Sequence, residues 1–232
     1  MSVKRSSGTV PGLGSGDPNN WMSALFRRPS DETVHVDDQE FDGTIGGTAV
    51  TPTGTVTWTQ SRGALSAVFD TIAINDVACR LYPITAGASP VTIETAIRFI
   101  SSTDSTPVVG LMFSDGTPDS SGAVWFYTNM SSSGMTVRTG TITNMSVSET
   151  ADDKANQNLS SHLYMRLVWT AASTFKVSVS PDGIGWTPWA WGTVTEAITP
   201  THMGVGVSNW ANTVKQAVSF EYLRVTDTDL SV

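Results

Sequence analysis

Two tryptophans at alternate positions, Trp189 and Trp191, follow a run that reads Phe175-Lys-Val-Ser-Val-Ser-Pro-Asp-Gly-Ile-Gly-Trp-Thr-Pro-Trp189. In an extended strand residues i and i+2 share a face, so the pair sets two indole rings on one side. Such a stripe suits stacking on sugar rings, with Asn209 and Trp210 nearby in the next loop. It equally suits packing under a loop or against a neighbouring subunit, and the residues leave both readings open. Trp58, Trp125 and Trp169 lie inside strand patterns and read as core.

Other reactive residues are sparse. His35, His162 and His202 stand far apart in sequence, each without neighbouring Asp, Glu or Cys to complete a metal set, and read as surface or strand-end residues. Cys79, the single cysteine, sits in the apolar segment Val77-Ala-Cys-Arg-Leu81 and reads as a buried, inert thiol. One cysteine allows no intrachain disulfide, which fits synthesis in a reducing cytoplasm. No Gly-x-Ser-x-Gly elbow, phosphate loop or Gly-x-Gly-x-x-Gly turn occurs. No catalytic residue and no cofactor is therefore expected.

The elements that must position these residues are strands. Val91, Ile93, Ile97 and Phe99 alternate with Glu94 and Arg98; Leu163, Met165, Leu167 and Trp169 with Tyr164, Arg166 and Val168; Phe175, Val177 and Val179 with Lys176, Ser178 and Ser180. This period of two marks half-buried antiparallel strands. Further strands are expected near 55–60, 65–70, 78–84, 107–113, 123–128, 135–142 and 193–198, with turns at Asp42-Gly43, Asp115-Gly116, Ser133-Gly134 and Asp182-Gly183. About a dozen short strands with no helical period predict an all-β sandwich or jelly roll over residues 34–232.

Residues 1–33 differ. Residues 1–16 are rich in Ser and Gly and read as an extended arm. Asp17 is a suitable N-cap, Pro18 suits the first helical position, and Pro29 is a stop, so a short helix is predicted over about 17–28. Trp21 and Leu25, and Met22 and Phe26, form i, i+4 apolar pairs, while Arg27 and Arg28 sit where the helix dipole favours cations. Ten or so residues make a marginal helix alone, so these pairs need a surface, either on the chain's own sandwich or on another protein. Residues 1–30 carry Lys4, Arg5, Arg27 and Arg28 against Asp17, a net of +3; with −8 overall, the rest carries −11. An acidic body argues against nucleic-acid binding, and a basic arm suggests its own partner. No run approaches the roughly 18 apolar residues of a membrane span, and the N-terminus lacks the apolar core of a signal peptide.

The hairpin Ser180-Pro-Asp182-Gly183-Ile-Gly-Trp186-Thr, the strand Met203-Gly-Val-Gly-Val207 and the closing segment Phe220-Glu-Tyr-Leu-Arg-Val-Thr226 together resemble the C-terminal half of the concanavalin A-like lectin/glucanase (laminin G-like) jelly roll. Glu40-Phe41-Asp42-Gly43, followed by a strand at Trp58, resembles the family's opening, and the likeness covers roughly residues 34–228. It implies a first strand paired with the last. It also directs attention to acidic residues, because glucanases of this family carry Glu-x-Asp-x-Glu on one strand face. This chain lacks that triplet; Asp38-Gln39-Glu40 and Asp227-Thr228-Asp229 come nearest, both at the domain edge. Calcium sites in the family point to Asp104, Asp115 and Asp119, whose surroundings fit plain turns as well. Ser180-Pro-Asp182 is also similar to the Asp-box hairpin of sialidases, but its Gly and Trp spacing departs and it occurs once, so it reads as an ordinary turn.

Two functional expectations follow. The first is a non-enzymatic virion protein of a bacteriophage: a decoration, collar or tail-fibre module, made in the host cytoplasm. It would dock on other virion proteins through Trp21, Met22, Leu25, Phe26, Arg27 and Arg28 and display a lectin-like sandwich, with host-surface glycans as weak ligands. Such display proteins are usually symmetric homo-oligomers. The second is a stand-alone carbohydrate-binding module using Trp189, Trp191, Asn209 and Trp210.

Overall fold

The computed structural model describes residues 37–231 apart from 42, 52–53, 74–75, 86–88, 102–106, 117–121, 132–133, 144–145, 158–161, 172–173, 196–197 and 210–213, and describes the backbone alone at 101, 129–131, 134–143, 146–157, 162 and 189–195. The predicted helix over 17–28 lies outside the described residues. The strands are β1 Thr48–Val50, β2 Val56–Ser61, β3 Ala64–Phe69, β4 Ala78–Pro83, β5 Val91–Ser101, β6 Val108–Ser114, β7 Ala123–Ser131, β8 Gly134–Thr143, β9 Ser146–Gln157, β10 His162–Ala171, β11 Thr174–Ser180, β12 Thr187–Thr195, β13 His202–Ser208, β14 Gln216–Phe220 and β15 Arg224–Thr226.

They form two antiparallel sheets, ordered β1-β4-β13-β6-β7-β8-β9 and β12-β11-β10-β5-β14-β3-β2, with β15 joining the second through β5. The alternating apolar residues of the sequence become the inner faces. Ile93, Ile97, Leu163, Leu167, Phe175 and Phe220 from one sheet meet Leu111, Phe113, Phe126, Met203 and Val205 from the other in a single core. Each such side chain contributes about 1.5–3 kcal/mol by leaving water. The result is an antiparallel jelly-roll-type sandwich, as the period-two pattern predicts.

The seven-stranded sheet also buries its other face. Cys79, Leu81, Met112, Trp125 and Tyr127 form a second cluster, and the Trp125 and Tyr127 rings stack at 4.4 Å. Gly110 sits in this face. A Cβ there would stand 2.0 Å from the Phe126 carbonyl oxygen on β7, so only glycine allows the two strands this spacing.

The strand expectations hold with three differences. β1, β9 and residues 216–219 of β14 lie outside the expected strands; β1 is three residues long, and β9 is polar but for Val147, Ala151 and Ala155. The expected strand near 193–198 is the tail of β12, which begins at Thr187. The closing segment Phe220–Thr226 is not one strand. Phe220 pairs with Ile97 and Arg224 with Glu94, so Glu221, Tyr222 and Leu223 oppose only Thr95 and Ala96. This bulge breaks the segment into β14 and β15 and frees the backbone of Leu223, whose side chain stays in the core, to exchange two hydrogen bonds of 2.8 Å with that of Gln39.

The registers define two ends. At one, the last residues of β5 and β11 meet the first of β10 and β14: His162 pairs with Arg98, Ser180 with Tyr164, and Ala217 with Ser101. This hairpin end also holds Asn209, bound to the segment after β3. At the other, Asp37 begins the described chain, its carboxylate accepting from the Thr85 N–H (2.6 Å) and hydroxyl (2.8 Å).

Gly110→Ala is expected to cost about 2–3 kcal/mol, because its Cβ meets backbone. At Gly185 the nearest atom to an added Cβ is Asp182 Oδ1 at 3.9 Å, and Gly185→Ala should stay within about 0.5 kcal/mol. Denaturant midpoints of the two variants measure the contrast; equal midpoints would refute it.

Candidate functional site

Trp189 and Trp191 lie on β12, at the edge of its sheet. Ser178 pairs with Pro188 and Lys176 with Thr193, so the single β11 residue Val177 faces four on β12, residues 189–192. The two tryptophans are thus carried on a wide bulge of an edge strand, where simple alternation no longer sets their direction. Trp210 lies outside the described residues. Asn209 is buried: its Oδ1 accepts from the Ile72 N–H at 2.9 Å and its Nδ2 donates to the Asp70 carbonyl. That amide ties the end of β13 to the segment following β3, five strands from β12 or about 24 Å across the sheet. The backbone of β12 and the buried amide of Asn209 are thus set apart.

Between them stands the 181–186 hairpin, at the same end as Asn209. Ser180 Oγ accepts from the Gly183 N–H and donates to Asp182 Oδ1, each at 2.9 Å. The same Oδ1 accepts from the N–H groups of Gly185 and Ile184 at 2.9 Å. These donors, the Gly185 N–H first, hold the Asp182 carboxyl below its ordinary pKa, so the turn keeps its charge. Gly183 takes φ 74°, and a Cβ there would meet the Tyr164 ring at 2.9 Å. The fully outward residue of the turn is Ile184, 86% exposed.

Trp186 follows the turn and leads into β12. Its ring face is taken: the Arg166 guanidinium lies 3.8 Å from the ring centroid. Arg166 also pairs with Glu94 Oε1 at 2.6–2.7 Å and donates to the Leu230 carbonyl at 2.9 Å. Across β5, Arg224 lies 4.1 Å over the Tyr222 ring and pairs with Glu40 at 3.2 Å. The outer face of this sheet is therefore roofed by two arginines, with Ala96, Tyr164 and Tyr222 buried beneath. The segment 228–231 crosses it as well: Thr92 Oγ1 donates to the Thr228 carbonyl at 2.6 Å, and Lys176 Nζ to Ser231 Oγ at 3.1 Å. Sequence reasoning placed Glu94, Arg98 and Arg166 on the outward face but missed these partners, because register across strands is not written in any one strand.

The acidic edge segments have structural roles. Asp38 Oδ1 accepts from the Val225 N–H at 2.7 Å and Glu40 holds Arg224, so both fasten the opening segment to β15. Asp229 Oδ1 caps the Ser231 N–H at 2.9 Å. Cys79 is buried, as expected. His202 Nδ1 lies 2.9 Å from Thr201 Oγ1. His35, Asp104 and Asp119 lie outside the described residues, and Asp115, next to Gly116, follows β6. Among the described residues no three His, Cys, Asp or Glu side chains gather as a metal set, and no helix is long and apolar enough to cross a membrane. Trp21, Met22, Leu25, Phe26, Arg27 and Arg28 also fall outside the described residues.

No protein-family model matches this sequence, and no curated protein matches it. Solved structures share the fold. The sandwich is similar to the GH43 protein BlXynB from Bacillus licheniformis, at 12% identity and TM-score 0.58, over 86% of this chain and 41% of that one. It is similar to an engineered GH43 glycoside hydrolase with endo-xylanase and exo-arabinofuranosidase activity, at 12% identity and TM-score 0.59, over 87% and 42%. It is also similar to the CBM2 module of the evolved Dit of Lactobacillus casei BL23 phage J-1, at 7% identity and TM-score 0.54, over 83% of this chain and 95% of that module. The chain thus spans under half of the two hydrolases and nearly all of the phage module. At these identities the likeness establishes the β-sandwich fold.

Glu221 offers a pH test of this outer face. Burial raises its pKa, with Arg98 partly offsetting. A carboxyl with a raised folded pKa penalises the folded state once ionised, and the penalty is absent below the unfolded pKa. Glu221→Gln should therefore melt higher than the parent at pH 7 and together with it at about pH 3. A lower melting temperature at pH 7 would contradict the assignment.

Proposed function

We propose that this chain is a non-enzymatic structural protein of a bacteriophage particle, a decoration, collar or tail-appendage module, that attaches through residues 1–33 and displays the sandwich. The observation that carries this reading is the similarity to nearly the whole of the phage Dit CBM2 module, against less than half of each hydrolase. The charge division supports it: residues 1–30, net +3 with two apolar pairs, precede a remainder of −11. Weak adhesion to host-surface glycans would be strengthened by many copies, since linked sites raise effective concentration without new contacts. Trp189 and Trp191, on their edge-strand bulge, are the proposed sugar contacts. Asn209 is left out, because its amide is already committed to Asp70 and Ile72.

Deletion of residues 1–30 should yield a soluble sandwich that is absent from purified particles, as read by immunoblot. Normal incorporation of the truncated chain would overturn the attachment role. In a separate titration, millimolar sugar should bind the parent, and a Trp189→Ala, Trp191→Ala double variant should lose at least tenfold in affinity; about 1–3 kcal/mol per stacked ring, the value measured for base stacking, sets that scale. Unchanged binding in the double variant would dismiss these two rings as the contact.

A further inference from the structure

Among the described residues the two sheets end in four edge strands, β1, β9, β12 and β2. An edge strand presents a row of unpaired backbone N–H and C=O groups, and proteins blunt it by shortness, charge, proline or a bulge. Three of these edges are blunted. β1 is three residues long. β9 carries Glu149, Asp152, Asp153 and Lys154, and its register against β8 shifts twice. β12 holds Pro188 and the bulge at 189–192. β2 has none of these devices: its six residues, Val-Thr-Trp-Thr-Gln-Ser, pair with β3 in unbroken register.

The free groups of β2 follow from its pairing. The Thr55 carbonyl accepts from the Asp70 N–H at 3.3 Å. At the other end Ser61 and Ala64 flank the two-residue turn Arg62-Gly63, whose φ values are 55° and 76°. Backbone direction alternates along an antiparallel strand, so Thr55, Thr57, Thr59 and Ser61 bond to β3, while Val56, Trp58 and Gln60 turn their N–H and C=O groups outward. Thr57, Thr59 and Ser61 are the exposed side chains. The Gln60 amide donates to the Gly43 and Thr44 carbonyls at 3.0 and 3.2 Å, which braces that segment without using the outward backbone.

The occupant that fits this edge is a second copy of the chain. Residues 43–61 contain no charged side chain, in a protein of net charge −8. Two such chains repel, and they meet most readily where charge is absent. The strand is also self-complementary. A two-fold axis at Trp58 sets Trp58 against Trp58 and Val56 against Gln60 as hydrogen-bonded pairs, each exchanging two backbone bonds, with Thr57 against Thr59 as the close pair between them. Threonine pairs across strands are favourable. Arg62, at the turn, then stands two strand spacings, about 10 Å, from Asp70 of the other copy, a span an arginine side chain covers. Lys215 extends the β14 register on the far side of Asp70 and does not come between them.

We propose that two copies join through β2, antiparallel about a two-fold axis at Trp58, so that the eight-stranded sheet runs on from one copy into the next. The two β12 strands then lie at the outer margins of the joined sheet, and the contact leaves them free. It uses none of residues 1–33 and so goes beyond the attachment role.

The full-length protein at micromolar concentration is expected to sediment at twice the 24.7 kDa chain mass; a monomer overturns the proposal. A Thr57→Lys, Thr59→Lys double variant and a Thr57→Glu, Thr59→Glu double variant change exposed side chains only. Each should be monomeric alone, because like charges oppose across the axis, and their mixture should recover the dimer. Variants that dimerise as the parent does overturn the contact. Register is read with Thr57→Cys and Thr59→Cys chains under gentle oxidation, Cys79 being buried in both. The close pair brings Cα atoms to about 4.5 Å, inside disulfide range, so the mixture should crosslink about tenfold faster than either variant alone. Equal rates, or no crosslink, overturn the pairing. A dimer held by residues 1–33 would ignore every one of these substitutions, and particle incorporation reads the attachment role separately, so either idea can fail alone.

Discussion

The strand Val91–Ser101 fixes the position of most other elements. On one side it pairs with β10 over eight residues, from Val91 to Arg98. On the other it receives two separate strands, β14 and β15, and the residues left over between them form the bulge at 221–223. That misfit has consequences. Thr95 Oγ1 takes the Tyr222 carbonyl at 2.5 Å, the Glu221 N–H takes the Ala96 carbonyl at 3.0 Å, and Leu223 is freed to pair with Gln39. The opening of the sandwich is thus fastened to its close through one extra residue. A straight seven-residue closing strand would have left Gln39 without this partner.

The same strand organises the outer face. Glu94 lies between Arg166 and Arg224 in register, and the two guanidiniums cover Trp186 and Tyr222. A charge pair this poorly solvated contributes little net stability over an apolar pair, yet losing one partner strands the other. Its effect here is to close a surface: aromatic rings that would otherwise offer stacking planes carry arginines instead.

Much of this was legible in the sequence. Strict alternation located β5, β10 and β11 and their inward residues, because burial of one face forces a period of two. The pairing of first and last segments was implied by the likeness at Glu40-Phe41-Asp42-Gly43 and Phe220–Val225. What escaped were features of relation. The bulges at Ile100, at 189–192 and at 221–223 arise from mismatched counts on neighbouring strands, which no single strand encodes. The separation of Asn209 from β12 is of the same kind: close in sequence, Asn209 follows a strand of the other sheet and is tied to the segment after β3, five strands from β12.

In the proposed attachment, residues 1–33 hold the particle and the sandwich, entered at Asp37, is displayed. Electron cryo-microscopy of the protein within its native particle tests this most directly. Density for residues 1–33 is predicted to lie against a neighbouring protein of the particle, with the sandwich facing outward. Arms folded against their own sandwiches, with no neighbouring protein in contact, would contradict it.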